Sequence, residues 1–418
     1  MISGGERTAL DPPLVESAYA WRRLAASLAL STIGGIGLWS VVVVLPAVQA
    51  EFHVARSSAS LPYTATMLGF ALGAILMGRL ADRFGIVAPL VVGSITLSLG
   101  YLLTARAASL GQFVLAQGLA IGLLGSSVTF GPLVADVSHW FTRHRGMAVS
   151  VCASGNYLAG TVWPPILQHF TATRGWRPTM VGIGLFCAVT MLPLTLTLRR
   201  RSPIAHGPVS NVGAAAEGGR PAVSPGLLQA LLTVAGVACC VAMSMPQVHI
   251  VAYASDLGHG VAHGAEMLSL MLGLGVLSRL ASGWIADRIG GVATLLLGSA
   301  LQCLTLALYL PFDGLISLYV VSTLFGLAQG GIVPSYAIIV REYFAPQEAG
   351  TRIGAVLMAT IVGMALGGWI SGAIFDLTGS YRMAFVNGIV WNLLNVAIAL
   401  WLLSQPRRLA AVAWPPAR

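Results

Sequence analysis

Residues 78–85 read GRLADRFG, and residues 283–290 read GWIADRIG. Five of the eight positions are identical, and the copies are 205 residues apart. Each copy follows an apolar run, so the two stand at corresponding places in successive blocks of chain. Twelve apolar segments can be counted outward from them, at about 24–48, 60–80, 86–106, 111–134, 146–168, 178–198, 227–253, 264–285, 291–311, 315–339, 351–374 and 383–404. Runs of about 20 residues suit the hydrocarbon core of a bilayer, where a helix satisfies its own backbone polar groups. The sequence therefore predicts an all-α membrane protein of twelve transmembrane helices, arranged as two six-helix halves related by the repeat.

Composition agrees. Of 418 residues, 56% are hydrophobic and 9% charged, with a mean hydropathy of +0.82. A soluble domain carries about 25% charged residues. Residues 1–23 are polar, contain LDPPLVES and lack an apolar core ending in a cleavage site, so they read as a cytoplasmic tail. The N-terminal half is then 24–198 and the C-terminal half 227–404, with a second tail at 405–418. Between the halves, residues 199–226 read RRRSPIAHGPVSNVGAAAEGGRPAVSPG, a linker rich in Gly, Pro, Ala and Ser.

All 23 basic residues are arginine. With the N-terminus inside, seventeen fall in cytoplasmic loops and tails, and five (Arg56, Arg106, Arg174, Arg177 and Arg382) fall on the other side. This positive-inside bias predicts a multi-pass protein of the inner membrane with both termini cytoplasmic. It also gives the net charge of +9 a cause other than nucleic acid. The five cysteines all lie in apolar runs, without disulfide or metal spacing, and no cofactor motif is present. A monomer is expected.

The remaining arginine is Arg279. Between Glu266 and Asp287 it is the only ionisable side chain, in EMLSLMLGLGVLSRLASGWIAD. A guanidinium at bilayer depth costs roughly 2.5–3.5 kcal/mol and normally faces a bundle interior or a wet cavity. Asp287 lies eight residues on, so Arg279 is about 12 Å of helix rise inward, beyond comfortable snorkelling. No acid sits within another apolar run to neutralise it, which points to a transported anion as the counter-ion.

G-x-L-A-D-R-x-G after the second helix, repeated after the eighth, resembles the signature loop of the major facilitator superfamily, a resemblance that covers essentially the whole chain. It implies the major facilitator fold, with Asp82, Arg83, Asp287 and Arg288 in gating loops. Ile86 and Val87 stand where that family usually carries a basic pair. A narrower pattern, Pro132, Trp140-Phe141, Arg143, Arg145, Met147-Ala148 and Gly155, resembles the monocarboxylate transporter and oxalate–formate exchanger branch. That branch places an arginine four residues before the helix-eight glycine, as Arg279 stands before Gly283, and so implies Arg279 as carboxylate ligand. The chain departs from the branch in three places and from proton-coupled facilitators at large in a fourth, the helix-four arginine. Gly275 replaces the Asp found in animal monocarboxylate transporters, and no lysine is available for helix eleven. The first-helix signature is not recognisable in LALSTIGGIGLWSVVVV, and Val114 stands near the place of a usual helix-four arginine.

Asn156, Tyr157, Gln117, Gln247, Gln329 and Tyr336 are further candidates for substrate contact, each weighed against a role as interhelical glue. His249, near the outer end of helix seven, is a possible proton site. Trp39 and Trp163 read as packing groups, and the glycine runs GGIGLW, GLGVL and GMALGG as close helix contacts. The sequence thus predicts a secondary transporter of a small organic anion, a monocarboxylate first, working by proton symport or anion exchange. A drug or metabolite efflux carrier is the alternative, and a membrane enzyme or a non-transporting receptor ranks below both.

Overall fold

In a computed structural model, residues 15–200, 220–221, 224–344, 346–405 and 407–408 are described. Twelve helical spans follow one another. The first six are Ala18–Phe52, Arg56–Phe84, Val87–Ala105, Leu110–Ser138, Arg145–Ala153 continued by Gly155–Arg174, and Trp176–Leu196. The second six are Pro225–Asp256, Val261–Ile289, Gly291–Leu308, Leu315–Tyr343, Pro346–Thr378 and Tyr381–Ser404. Eleven are long and apolar enough to cross a membrane. The fifth is the exception: it breaks at Ser154 and carries Asn156, Tyr157, Pro164, Pro165, Gln168 and His169. The least apolar span is thus the one that lies beside Arg279.

Local chemistry sets the helix ends. The Ser17 hydroxyl accepts from the Ala20 N–H, so the first helix starts several residues before its apolar run. Both signature loops close on a glycine with positive φ, Gly85 at 79° and Gly290 at 83°. Their N–H groups bond to the carbonyls of Ala81 and Ala286 at 2.8 and 2.9 Å. A side chain would be strained at either position, so the sequence repeat is also a repeat of backbone geometry. Of the expected linker and tails, most residues lie outside the described ones. Arg220–Pro221 pairs antiparallel with Arg407–Arg408.

Within the N-terminal half, Arg23 is buried and clasps Asp136 through two 2.8 Å bonds while donating to the Leu198 carbonyl. This ties together the first, fourth and sixth spans. The fourth span approaches the second so closely that its middle winds as a π-helix over Ala116–Gly125, glycine against backbone. Large apolar side chains such as Ile316 and Leu377 cover the exterior, where lipid is the solvent.

The two halves meet along two seams, the second span on the eleventh and the fifth on the eighth. One face of the bundle carries the start of the first span and the end of the twelfth; here it is called the terminal face, and the opposite one the distal face. The halves are closed on the distal face, where Gly372 lies against the backbone of Arg56 and Ser57 and Gly368 against the Tyr63 ring. Toward the terminal face they part. Gly78, Gly283, Gly350 and Gly354 have no neighbouring atom within 4 Å of where a side chain would begin.

Candidate functional site: a seam arginine and a distal latch

Arg279 lies on the eighth span and reaches across the seam to the fifth. Its guanidinium sits over the face of Tyr157, 4.4 Å from the ring centroid, and Nη1 donates to the Ala153 carbonyl at 3.4 Å. Its Nε is buried and has no acceptor among the described residues. No carboxylate lies within ion-pair distance of it there. Among the described residues this group of five donors has one long bond to a carbonyl and otherwise lies against the ring and hydroxyl of Tyr157, a shortfall unusual for a charge at this depth.

Gly275 explains how the ring comes to be there. One turn before Arg279, it lies flush against Tyr157, and a Cβ in its place would be 2.6 Å from Cε1. The space where a side chain at 275 would project is filled by the ring that roofs the guanidinium. A desolvated cation–π contact is worth about 2 kcal/mol and an exposed one about 0.5–1. Tyr157→Leu is accordingly expected to weaken apparent carboxylate affinity by about two- to thirtyfold. Tyr157→Phe should retain most of it. Concentration dependence of counterflow in proteoliposomes checks both, and equal losses in the two variants would mean that the hydroxyl, not the ring face, matters.

The other candidates divide. Asn156 lies beside the break in the fifth span; its carbonyl accepts from the Trp39 indole at 3.1 Å, while its Oδ1 is buried without a partner among the described residues. Gln247 donates to Gln329 at 2.6 Å, and Gln329 Nε2 has no partner among the described residues. Gln329 directly precedes Gly330, which is packed against the backbone of Arg279. Tyr336 is turned into the C-terminal half and donates to Asn395 at 2.9 Å, and Asn395 in turn bonds Ser299. Gln117 faces Thr66 inside the N-terminal half. Thus Tyr157 touches Arg279, Asn156 and the Gln247–Gln329 pair lie on chain segments beside it, and Tyr336 and Gln117 bond within their own halves. The Trp163 indole bonds to the Thr32 carbonyl, in keeping with a packing role.

Sequence reasoning missed the strongest link between the halves. Arg56 begins the second span and donates through Nη2 to both oxygens of Asp256 at 3.1 Å, and through Nη1 to the Tyr381 hydroxyl at 2.9 Å. Asp376 caps the same helix from the other half, accepting from the N–H groups of Arg56 and Ser57 at 2.7 and 2.8 Å. His249 is fully buried behind this cluster. Its Nε2 is 2.8 Å from the Gly368 carbonyl and its Nδ1 3.0 Å from the Tyr381 hydroxyl. A carbonyl only accepts, so Nε2 carries a proton and donates to Gly368, while Nδ1 pairs with the Tyr381 hydroxyl. His249 therefore belongs to the distal latch. Nothing local flagged Arg56, because its partners come from spans seven, eleven and twelve.

On the terminal face Asp82 and Asp287 are exposed, and neither makes an ion pair or a side-chain hydrogen bond among the described residues. Arg83 and Arg288 fold back over Phe84 and Trp284 of their own helices. In this state the signature loops do not bridge the halves.

The chain matches the Major Facilitator Superfamily over residues 28–317 and again over 230–415. It belongs to that superfamily. The doubled match fits the repeat spaced by 205 residues, and places the protein among membrane transporters, not enzymes. It is 28% identical to monocarboxylate transporter 13 of Rattus norvegicus over 398 residues, which cover 90% of this chain and 86% of the relative. The Bos taurus monocarboxylate transporter 13 is 29% identical over 322 residues, covering 75% and 73%. The MFS-type transporter opdF of Penicillium oxalicum is 26% identical over 388 residues, covering 88% and 87%. Among solved structures, a bacterial homolog of the human lysosomal transporter Spinster, inward-facing and occupied, superposes with a TM-score of 0.71 at 15% identity. It covers 96% of this chain and the chain covers all of it. The nucleoside transporter NupG gives 0.69 at 14% identity, covering 91% and 99%. At these identities the structures speak for the fold. The monocarboxylate transporter relatives agree with the branch whose motif surrounds Trp140 and Arg145.

Proposed function

We propose that this major facilitator protein carries a small organic monoanion, a monocarboxylate, across the inner membrane by alternating access of its two halves. One observation carries this reading: Arg279 stands at the seam with a buried Nε that lacks an acceptor and with no carboxylate beside it. A guanidinium presents a planar fork that matches a carboxylate through two parallel bonds. A single cation suits a monoanion over a dianion, and the π face of Tyr157 holds the fork without neutralising it. The proposed topology keeps 1–23 and 405–418 cytoplasmic, with 199–226 as the linker between halves 24–198 and 227–404. With that orientation the terminal face is cytoplasmic, and the protein stands open inward. A thermal-shift screen of purified protein against small carboxylates, with their amides as controls, tests the assignment. Stabilisation by acids but not amides supports it, and stabilisation by organic cations alone overturns it.

Efflux of cations fits less well, because the carboxylates at the seam, Asp256 and Asp376, are already held by Arg56. No acidic side chain is paired with Arg279 to take up a proton, so in symport the proton travels with the protonated acid or through His249. His249 sits in the latch, well toward the distal face from Arg279. We expect His249→Gln to keep both counterflow and any acceleration of uptake by an inward proton gradient. If acceleration is lost while counterflow persists, His249 is the coupling site. If wild type shows no gradient effect, the carrier is an exchanger or a uniporter.

A further inference from the structure

The 205-residue offset that relates the signature loops also relates Glu51 to Asp256, Trp176 to Tyr381 and Arg177 to Arg382. Each pair occupies equivalent places: the acids lie at the end of the first span of their half, and the other two residues open its last span. In the N-terminal half the three form a closed set. Arg177 donates to Glu51 through Nε and Nη2 at 2.9 and 2.6 Å, and the Trp176 indole donates to the other carboxylate oxygen. The guanidinium also lies over the Trp176 ring at 4.5 Å. In the C-terminal half the same set is taken apart. Asp256 and Tyr381 are both turned to Arg56 of the other half. Arg382 is exposed, and its guanidinium has no carboxylate partner among the described residues.

We propose that Arg382 is the second partner of Asp256. When the distal face opens, Arg56 departs with the N-terminal half, and Asp256 passes to Arg382. The C-terminal half then closes the set that its counterpart already shows closed. Charge supports this. Departure of Arg56 leaves Asp256 and Asp376 without their cation, and Arg382 is the equivalent, uncommitted cation on that face. Arg382 is thereby a positioning residue for the cycle: it touches no substrate and sets the balance between two states. The proposal rests on alternating access but not on the identity of the substrate.

The test uses full-length protein with spin labels at Ala108→Cys and Phe312→Cys, exposed distal positions of the two halves. Cys303 is replaced by Ser, and the other four cysteines are buried. Pulsed electron resonance reads the distal distance distribution. Arg56→Gln should raise the long-distance population. Arg382→Gln should lower it by about two- to fivefold, the size expected for a solvent-facing ion pair. Arg382→Lys should restore it, and Arg382→Gln should add nothing on an Asp256→Asn background, since both act through one pair. An unchanged distribution in Arg382→Gln, or a shift that persists in full without Asp256, overturns the proposal. A single short distance in every variant, Arg56→Gln included, overturns alternating access as well.

Discussion

Arg279→Ala is expected to abolish carboxylate counterflow while leaving the fold intact or slightly more stable. Among the described residues the side chain bonds the Ala153 carbonyl at 3.4 Å and rests on Tyr157, with no carboxylate beside it, so its removal breaks no paired charge. It also relieves the burial of a guanidinium at bilayer depth, which costs roughly 2.5–3.5 kcal/mol on insertion scales. Binding loses a charge-assisted bidentate contact, and charge-assisted hydrogen bonds are worth about 1.5–3 kcal/mol each. Losing two corresponds to a fall in affinity of at least about a hundredfold, beyond the range of counterflow detection. Arg279→Lys keeps the charge but not the fork and should recover only part of the activity. Thermal unfolding of the detergent-solubilised variants separates the two effects: melting at or above wild type with no transport is the expected outcome.

The second large effect belongs to the latch. Arg56→Gln leaves Asp256 and Asp376, both on the C-terminal half, without the guanidinium of the other half, with the helix cap on residues 56 and 57 as the remaining cross-link. Asp256 is about one-third exposed, so the loss is well short of that for a fully buried pair. A change of about 1–3 kcal/mol in the gating equilibrium, some five- to 150-fold, is expected. Ser60 is fully buried one turn along the same helix. On a Cys303→Ser background, Ser60→Cys should therefore resist maleimide while Arg56 is present and react readily when combined with Arg56→Gln. Binding at Arg279 should change little, since the latch and the seam arginine share no residue. Equal reactivity with and without Arg56 would show that apolar packing between the second and eleventh spans, not the ion pair, holds the distal face.

Much of this was legible before any coordinates. Hydropathy marks twelve segments where twelve helical spans are described, eleven of them long and apolar enough to cross a membrane on that ground alone. The two ADR loops predicted the repeat that Gly85 and Gly290 then realise as matching turns. Arg279 stands out because a charge in an apolar run demands a reason, and Tyr157, whose ring the fold sets against it, is one of six further polar candidates. What stayed hidden depended on pairing between distant segments. Arg56 reads as one more loop arginine until Asp256, Asp376 and Tyr381 are folded around it. Gly275 reads as a lost acid until the Tyr157 ring is found in its space. The break at Ser154 and the π-helix at 116–125 follow from tertiary contact, which propensity does not record. The 205-residue offset carries a signal for part of the latch, since it relates Glu51 and Trp176 to Asp256 and Tyr381.

The most direct test of the central claim is counterflow in proteoliposomes loaded with a panel of short monocarboxylic acids, each run beside its amide and a dicarboxylic analogue. The account predicts that at least one monocarboxylate exchanges in wild type, that its amide and the dianion do not, and that Arg279→Ala loses the exchange. Transport of an uncharged or cationic compound at equal rates in wild type and Arg279→Ala, with no monocarboxylate carried, would contradict it.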